Sequence, residues 1–144
     1  MHEAASRALF EEAVKHLTAE LCALRGWVLH STSFPVIDMS FTAEGRQTAR
    51  FRAHFDDWNS TPPSIVWLDA QGNLAAAIPQ APGGQFQQSH PNGGRPFVCM
   101  PGIREYHAHP NHLNDRWDNY KERSGYDLGG IITQVWRAWQ AAKP

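Results

Sequence analysis

Residues 27–68, WVLHSTSFPVIDMSFTAEGRQTARFRAHFDDWNSTPPSIVWL, decide the fold class. Trp27–Ser33 and Val36–Thr42 alternate apolar and polar side chains, the period of a strand with one buried face. Thr48–Phe55 alternates again and puts Ala49, Phe51, Ala53 and Phe55 on one side. Ala43-Glu44-Gly45-Arg46 has turn composition, and so has the stretch from Asp69 to Asn73. Asp56 to Ser60 interrupts the pattern, and Pro62-Pro63 stiffens the entry to a short apolar run, Ser64–Leu68. The expectation is an antiparallel meander of four strands.

Upstream, residues 3–24 are rich in Ala, Leu and Glu and contain neither Gly nor Pro. Leu9, Phe10, Ala13, Val14, Leu17, Leu21 and Leu24 recur at three- and four-residue steps, which predicts one helix with one apolar stripe. Gly26 stands where such a helix stops. Cys22 lies beside the stripe and reads as packing. At the far end, Asp127 is placed to cap a helix from Leu128 to Ala142. Its buried stripe would be Leu128, Ile131, Ile132, Val135, Trp136 and Trp139. Helix, meander and helix together predict an α+β domain occupying residues 1–144.

Between these parts, residues 79–125 are rich in Pro, Gly, Asn, Gln and His. An irregular stretch this long is usually functional or disordered. Phe86, Phe97, Tyr106, Trp117 and Tyr120 argue for order, because aromatic rings need burial.

The composition narrows the function classes. A formal net charge of −1, with no basic run, gives no field that favours nucleic acid. No apolar run approaches the length of a membrane span, and no secretory leader is visible. The two cysteines form no paired framework, so the cytoplasm is the expected compartment.

The chemistry concentrates around Cys99. His90, His107, His109 and His112 flank it within one short string. One reading is a nucleophilic thiol, whose reactive form is the thiolate. Asn92 would then donate to a developing oxyanion, aimed by the turn that Pro91 and Gly93-Gly94 fix. A second reading is zinc. Glu105, His107 and His109 alternate, so on an extended segment they would project together and join Cys99 as four ligands. A third is a surface loop with hydrogen-bonded histidines and a buried Cys99. His2, His16, His30 and His54 read as ordinary surface or packing residues.

These residues resemble a known family. The element order is similar to that of ubiquitin-conjugating enzymes. Residues 59–68, Asn-Ser-Thr-Pro-Pro-Ser-Ile-Val-Trp-Leu, look like the Tyr-Pro-x-x-Pro-Pro segment that leads into the fourth strand there. His90-Pro91-Asn92 matches the His-Pro-Asn motif, Phe97–Met100 resembles the run around the catalytic Cys, and Trp117 falls where that family has a Trp. The string Cys99-x5-Glu105-x-His107-x-His109 also resembles a bacterial family named for a predicted Cys-Glu-His-His metal site. Its members are found with ubiquitin-like proteins, a ThiF-type activating enzyme and a JAB-type peptidase, including in antiphage systems.

The resemblance implies a transferase that holds a ubiquitin-like protein as a thioester on Cys99 and needs no cofactor. Asn92 would assist transfer to an amine. His107 or His109, with Glu105, would orient the loop, tune the thiol or deprotonate the amine. The N-terminal helix would dock the activating enzyme. The sequence departs from the pattern in a longer segment between Pro63 and His90, in a single C-terminal helix, and in a second His109-Pro110-Asn111. Either Asn92 or Asn111 could therefore be the assisting residue. The alternatives are a zinc protein using Cys99, Glu105, His107 and His109, and a non-catalytic module that binds a ubiquitin-like protein.

Overall fold

The computed structural model describes residues 1–142. Four strands, β1 (Trp27–Ser31), β2 (Val36–Phe41), β3 (Ala49–His54) and β4 (Ser64–Leu68), pair antiparallel in the order β1-β2-β3-β4. This is the predicted meander, with the first three strands trimmed at their ends by one or two residues. The register sets Met39 beside Phe51 and Phe51 beside Trp67, so Ile37, Met39, Phe41, Phe51, Ala53, Ile65 and Trp67 share the buried face. The opposite face is polar. There Asp38 accepts two hydrogen bonds from Arg50, at 2.9 and 3.0 Å, and His30 Nε2 lies 2.8 Å from Ser40 Oγ.

Helices cover the apolar face. The helix expected over residues 3–24 divides into α1 (Glu3–Val14) and α2 (Ala19–Arg25). The break has a local cause. Thr18 takes an extended conformation, and its Oγ1 accepts from the backbone N–H of Leu21, starting a second helix instead of continuing the first. The two axes no longer share one stripe. Phe10 and Leu17 are buried, but Leu9 faces solvent and Leu24 is 85% exposed. Gly26 ends α2 in the left-handed region, φ 71°, where a Cβ would sit 2.3 Å from the Thr42 carbonyl oxygen. Cys22 is buried.

The last helix, here α4 (Leu128–Ala141), begins where the sequence predicts. Asp127 Oδ1 accepts from the Gly130 N–H at 2.7 Å. Its Trp139 packs on Phe41 with ring centroids 5.7 Å apart. Trp136, expected in the buried stripe, is only half-buried. It meets Trp27 edge-on, and Arg25 lies 5.0 Å from the centroids of both rings.

Residues 79–125 are not one irregular loop. They hold a two-stranded ribbon, β5 (Phe86–Gln87) with β6 (Phe97–Val98), a one-turn helix, α3 (Arg104–His107), and three 3₁₀ turns. The aromatics explain the order: Phe86, Phe97 and Trp117 are all buried, and Trp67 meets Phe86 at 5.0 Å. No helix of the described residues is long and apolar enough to cross a membrane.

Two substitutions test this layering. Trp139→Ala removes a ring packed against Phe41 and is expected to cost about 3–5 kcal/mol in chemical denaturation. Leu24→Ser, on the solvent side of α2, is expected to move stability by less than about 0.5 kcal/mol.

Candidate functional site

The loop around Cys99 is built on the free edge of β4. Its main anchor is Glu105, in α3. One carboxylate oxygen accepts from Ser64 Oγ at 2.7 Å and the other from the Ile65 backbone N–H at 2.9 Å. The neighbouring Arg104 makes a second clamp. Its backbone N–H donates to the Pro63 carbonyl, its Nε to the Pro62 carbonyl, and its guanidinium pairs with Asp56 at 3.0 Å. The two prolines before β4 offer no N–H of their own, and their carbonyls are free to receive these donors.

His90 fixes the other side of the loop. It is buried, with its ring 4.6 Å from that of Phe97. Nε2 donates to the Glu105 carbonyl oxygen at 2.9 Å, and Nδ1 accepts from the Asn92 N–H at 3.0 Å. His107 works in the same way from α3. Nδ1 donates to the Asp115 carbonyl at 2.6 Å, and Nε2 accepts from the Gly102 N–H at 3.0 Å. Both nitrogens of both rings are therefore occupied in the neutral form. Burial pushes the His107 pKa below its usual value, since the charged form would lose its solvation. Neither ring has a free nitrogen to take a proton from an incoming amine.

Cys99 follows β6. Its backbone N–H donates to the Gln85 carbonyl at 2.7 Å, which extends the ribbon by one bond and holds the residue in place. The side chain is half-buried. Burial raises the thiol pKa, and no cation or imidazole pulls it back down. A low-pKa thiolate next to an imidazole, as in cysteine proteases, is not what this loop makes.

Close to Cys99 lies a group that sequence reasoning missed. Asp115 Oδ2 accepts from the hydroxyls of Tyr106 and Tyr120. These bonds hold the Asp115 carboxyl below the usual range, while burial and the carboxylate raise Tyr106. Tyr106 is near enough to Cys99 for a thiolate there to raise it further. The aromatic content of this stretch was visible in the sequence, but nothing in the spacing connected Asp115 to it.

The zinc arrangement requires an extended segment that does not form. Arg104–His107 is helical, so Glu105 and His107 point about 200° apart around the helix axis. Both Glu105 oxygens and both His107 nitrogens already have protein partners. Among the described residues, no group of three or more His, Cys, Asp or Glu side chains is gathered to hold a metal ion. The residues do not fit a four-ligand zinc site.

The turn after His90 forms as expected: the Gly94 N–H donates to the His90 carbonyl, and the His90 N–H to that of Arg95. It aims the Asn92 side chain elsewhere, however. Asn92 Nδ2 reaches the Ala108 carbonyl at the end of α3, over a long 3.4 Å, and no hydrogen bond joins it to Cys99. The second tripeptide has the same local geometry, with His109 Nδ1 accepting from the Asn111 N–H at 3.1 Å. The His90 and His109 rings lie 5.7 Å apart, and Phe97 stacks on His109. His109 Nε2 has no partner among the described residues, so of the two histidines proposed for proton transfer it alone has a free nitrogen.

Residues 83–142 match the Y4jH-like family model, described as the Y4jH family. The matched stretch holds the β5–β6 ribbon, the Cys99 loop and α4. No curated protein matches the chain.

Two pH experiments follow. With Cys22 replaced by Ala, the rate of Cys99 alkylation by iodoacetamide is expected to rise about tenfold per pH unit through neutrality and to keep rising above pH 8. A plateau near pH 7 would contradict the solvation argument. For stability, the lowered pKa of His107 means that its contribution is present above about pH 6.5 and is lost as pH falls from there through the folded-state value. Glu105, raised by burial, acts in the opposite sense, losing its contribution as pH rises through its folded-state value. Denaturation of His107→Gln across pH 5–8 is expected to show a flatter acid limb than the parent.

Proposed function

We propose that Cys99 carries the C-terminal carboxyl of a ubiquitin-like protein as a thioester and transfers it to an amine. The observation that carries this reading is the setting of Cys99 itself: a half-exposed thiol at the end of a pinned ribbon, on a loop held by His90, Glu105 and His107, with no base hydrogen-bonded to it among the described residues. Such a thiol is poorly suited to attacking an unactivated amide. It suits exchange with a carboxyl that is already a thioester, where the incoming thiolate needs nucleophilicity more than a low pKa.

In the first step the Cys99 thiolate attacks the carbonyl carbon of the thioester on a ThiF-type activating enzyme. A new S–C bond forms, the old one breaks, and the released thiolate takes up a proton. A thiolate of raised pKa is also a slower leaving group, so the product persists until an amine attacks it. In the second step the amine nitrogen bonds to the same carbon, its proton passes to His109 Nε2 or to water, and Cys99 leaves. Asn92 would release its long bond to Ala108 and donate to the oxyanion; Asn111, in the matching turn, is the other donor available.

The order of helix, four-strand meander, Cys loop and C-terminal helix supports this reading, as does the resemblance to conjugating enzymes in its His-Pro-Asn and Cys segments. The resemblance further suggests a bacterial antiphage conjugation system with a JAB-type peptidase, in a cytoplasm where thiols stay reduced. The reaction uses no cofactor, membrane or nucleic acid.

Incubation with the activating enzyme, ATP and the ubiquitin-like protein is expected to give an adduct that reducing agent removes. Cys99→Ala is expected to abolish it, and Cys99→Ser to give an ester that survives reduction. Asn92→Ala is expected to leave charging intact and slow single-turnover discharge to an amine by about 10²-fold. Stable binding of the ubiquitin-like protein without any adduct would replace the transferase with a binding module.

A further inference from the structure

A groove of about 640 Å³ follows the free edge of β4, walled by residues 64–67, the Leu74–Ala76 segment and the His90–Phe97 turn. Cys99 does not line it. The edge is occupied at both ends. At one end the Ala75 N–H donates to the Trp67 carbonyl, and the Asp69 N–H to that of Asn73, closing a hairpin across Leu68 and Leu74. At the other end Glu105 takes the Ile65 N–H.

Between these ends, two main-chain groups that point the same way are left over. Successive residues of a strand direct their N–H and C=O to alternate sides, so Ile65 and Trp67 both face away from β3. The Trp67 N–H and the Ile65 C=O have no hydrogen-bond partner among the described residues. The Ile65 and Trp67 side chains are buried in the core, and these two main-chain groups face the groove. Unpaired main-chain groups along a strand edge are a ready template for another strand.

The two groups match a partner in the extended conformation. In a parallel ladder, a residue facing position i donates to the carbonyl of i−1 and accepts from the N–H of i+1. A residue placed opposite Val66 on a strand running parallel to β4 would satisfy the Ile65 C=O and the Trp67 N–H together. An antiparallel segment with a residue opposite Val66 would serve the same two groups through the residues on either side of it, as Asn73 and Ala75 do across Leu68.

The charge of the groove narrows the occupant. Its acidic side chain, Glu105, has both oxygens bonded inward, and Arg104 is paired with Asp56. Arg95, exposed on the turn, has no ion-pair partner among the described residues. We propose that the β4 edge binds an extended segment of a partner polypeptide that faces Val66 and presents a carboxylate to Arg95. Main-chain bonds would supply the affinity and the carboxylate the selectivity, as in other cases of strand addition.

The test uses the full chain carrying Cys99→Ala, so that no acyl transfer enters and the outcome is independent of the thioester reading. The probe is a phage-displayed library of random octapeptides, followed by synthesis of those selected. Enrichment of peptides containing Asp or Glu is expected, with a shift of the Trp67 amide proton signal on titration. Methylation of one peptide backbone nitrogen, scanned along the chain, is expected to weaken binding at least about tenfold at one position, and so is Arg95→Glu. Arg95→Gln, which keeps a polar side chain, is expected to fall between that variant and the parent.

The proposal is overturned if no peptide is selected, or if the selected peptides leave the Trp67 amide unmoved. It is also overturned if no position is sensitive to N-methylation. Protection of the Trp67 amide in the free protein would assign the edge instead to this chain, if independent of concentration, or to a second copy, if it grows with concentration.

Discussion

The Glu105 carboxylate holds the candidate site to the fold. Its two oxygens take one hydroxyl and one main-chain N–H from the start of β4, so the loop after Cys99 is tied to the rigid sheet rather than to another loop. The carbonyl of the same residue receives His90 Nε2, which joins the turn before Cys99 to the helix after it. One residue thus links β4, α3 and the His90 turn. Burial makes the arrangement stringent. The carboxylate has given up water, and removing either donor would leave a buried acceptor without its partner.

The fold was legible where the physics is local and periodic. Alternation placed the first three strands, and the apolar run Ser64–Leu68 emerged with the predicted bounds because prolines fence one end and a turn the other. Asp127 was readable because an N-cap needs only its own side chain and the next three residues. The break at Thr18 was not read, since an Ala/Leu/Glu-rich stretch with one Thr still fits a continuous helix. Only the choice of Thr18 Oγ1 by the Leu21 N–H decides otherwise.

The site was legible in its residues and less so in their contacts. Cys99, His90, Glu105 and His107 were singled out from composition, and all four sit in or beside one loop. Their geometry depends on whether residues 104–107 are extended or helical, and four residues carry too little periodicity to choose. The helical form turns Glu105 toward Ser64, sends His107 to Gly102 and Asp115, and disperses the expected zinc ligands. Asp115 joins the site only through tyrosines that the chain brings back to it, a contact that no spacing rule anticipates.

The paired His-Pro-Asn turns matter for how related chains are compared. Each histidine caps its own asparagine N–H through Nδ1, and the two rings lie side by side across Phe97. An alignment that tracks the tripeptide alone can therefore slip from position 90 to position 109 with no local misfit to reveal the error. The dependable anchor is the β6 ribbon, where Phe86 faces Val98 and Gln87 faces Phe97, and distances along the chain are best counted from there.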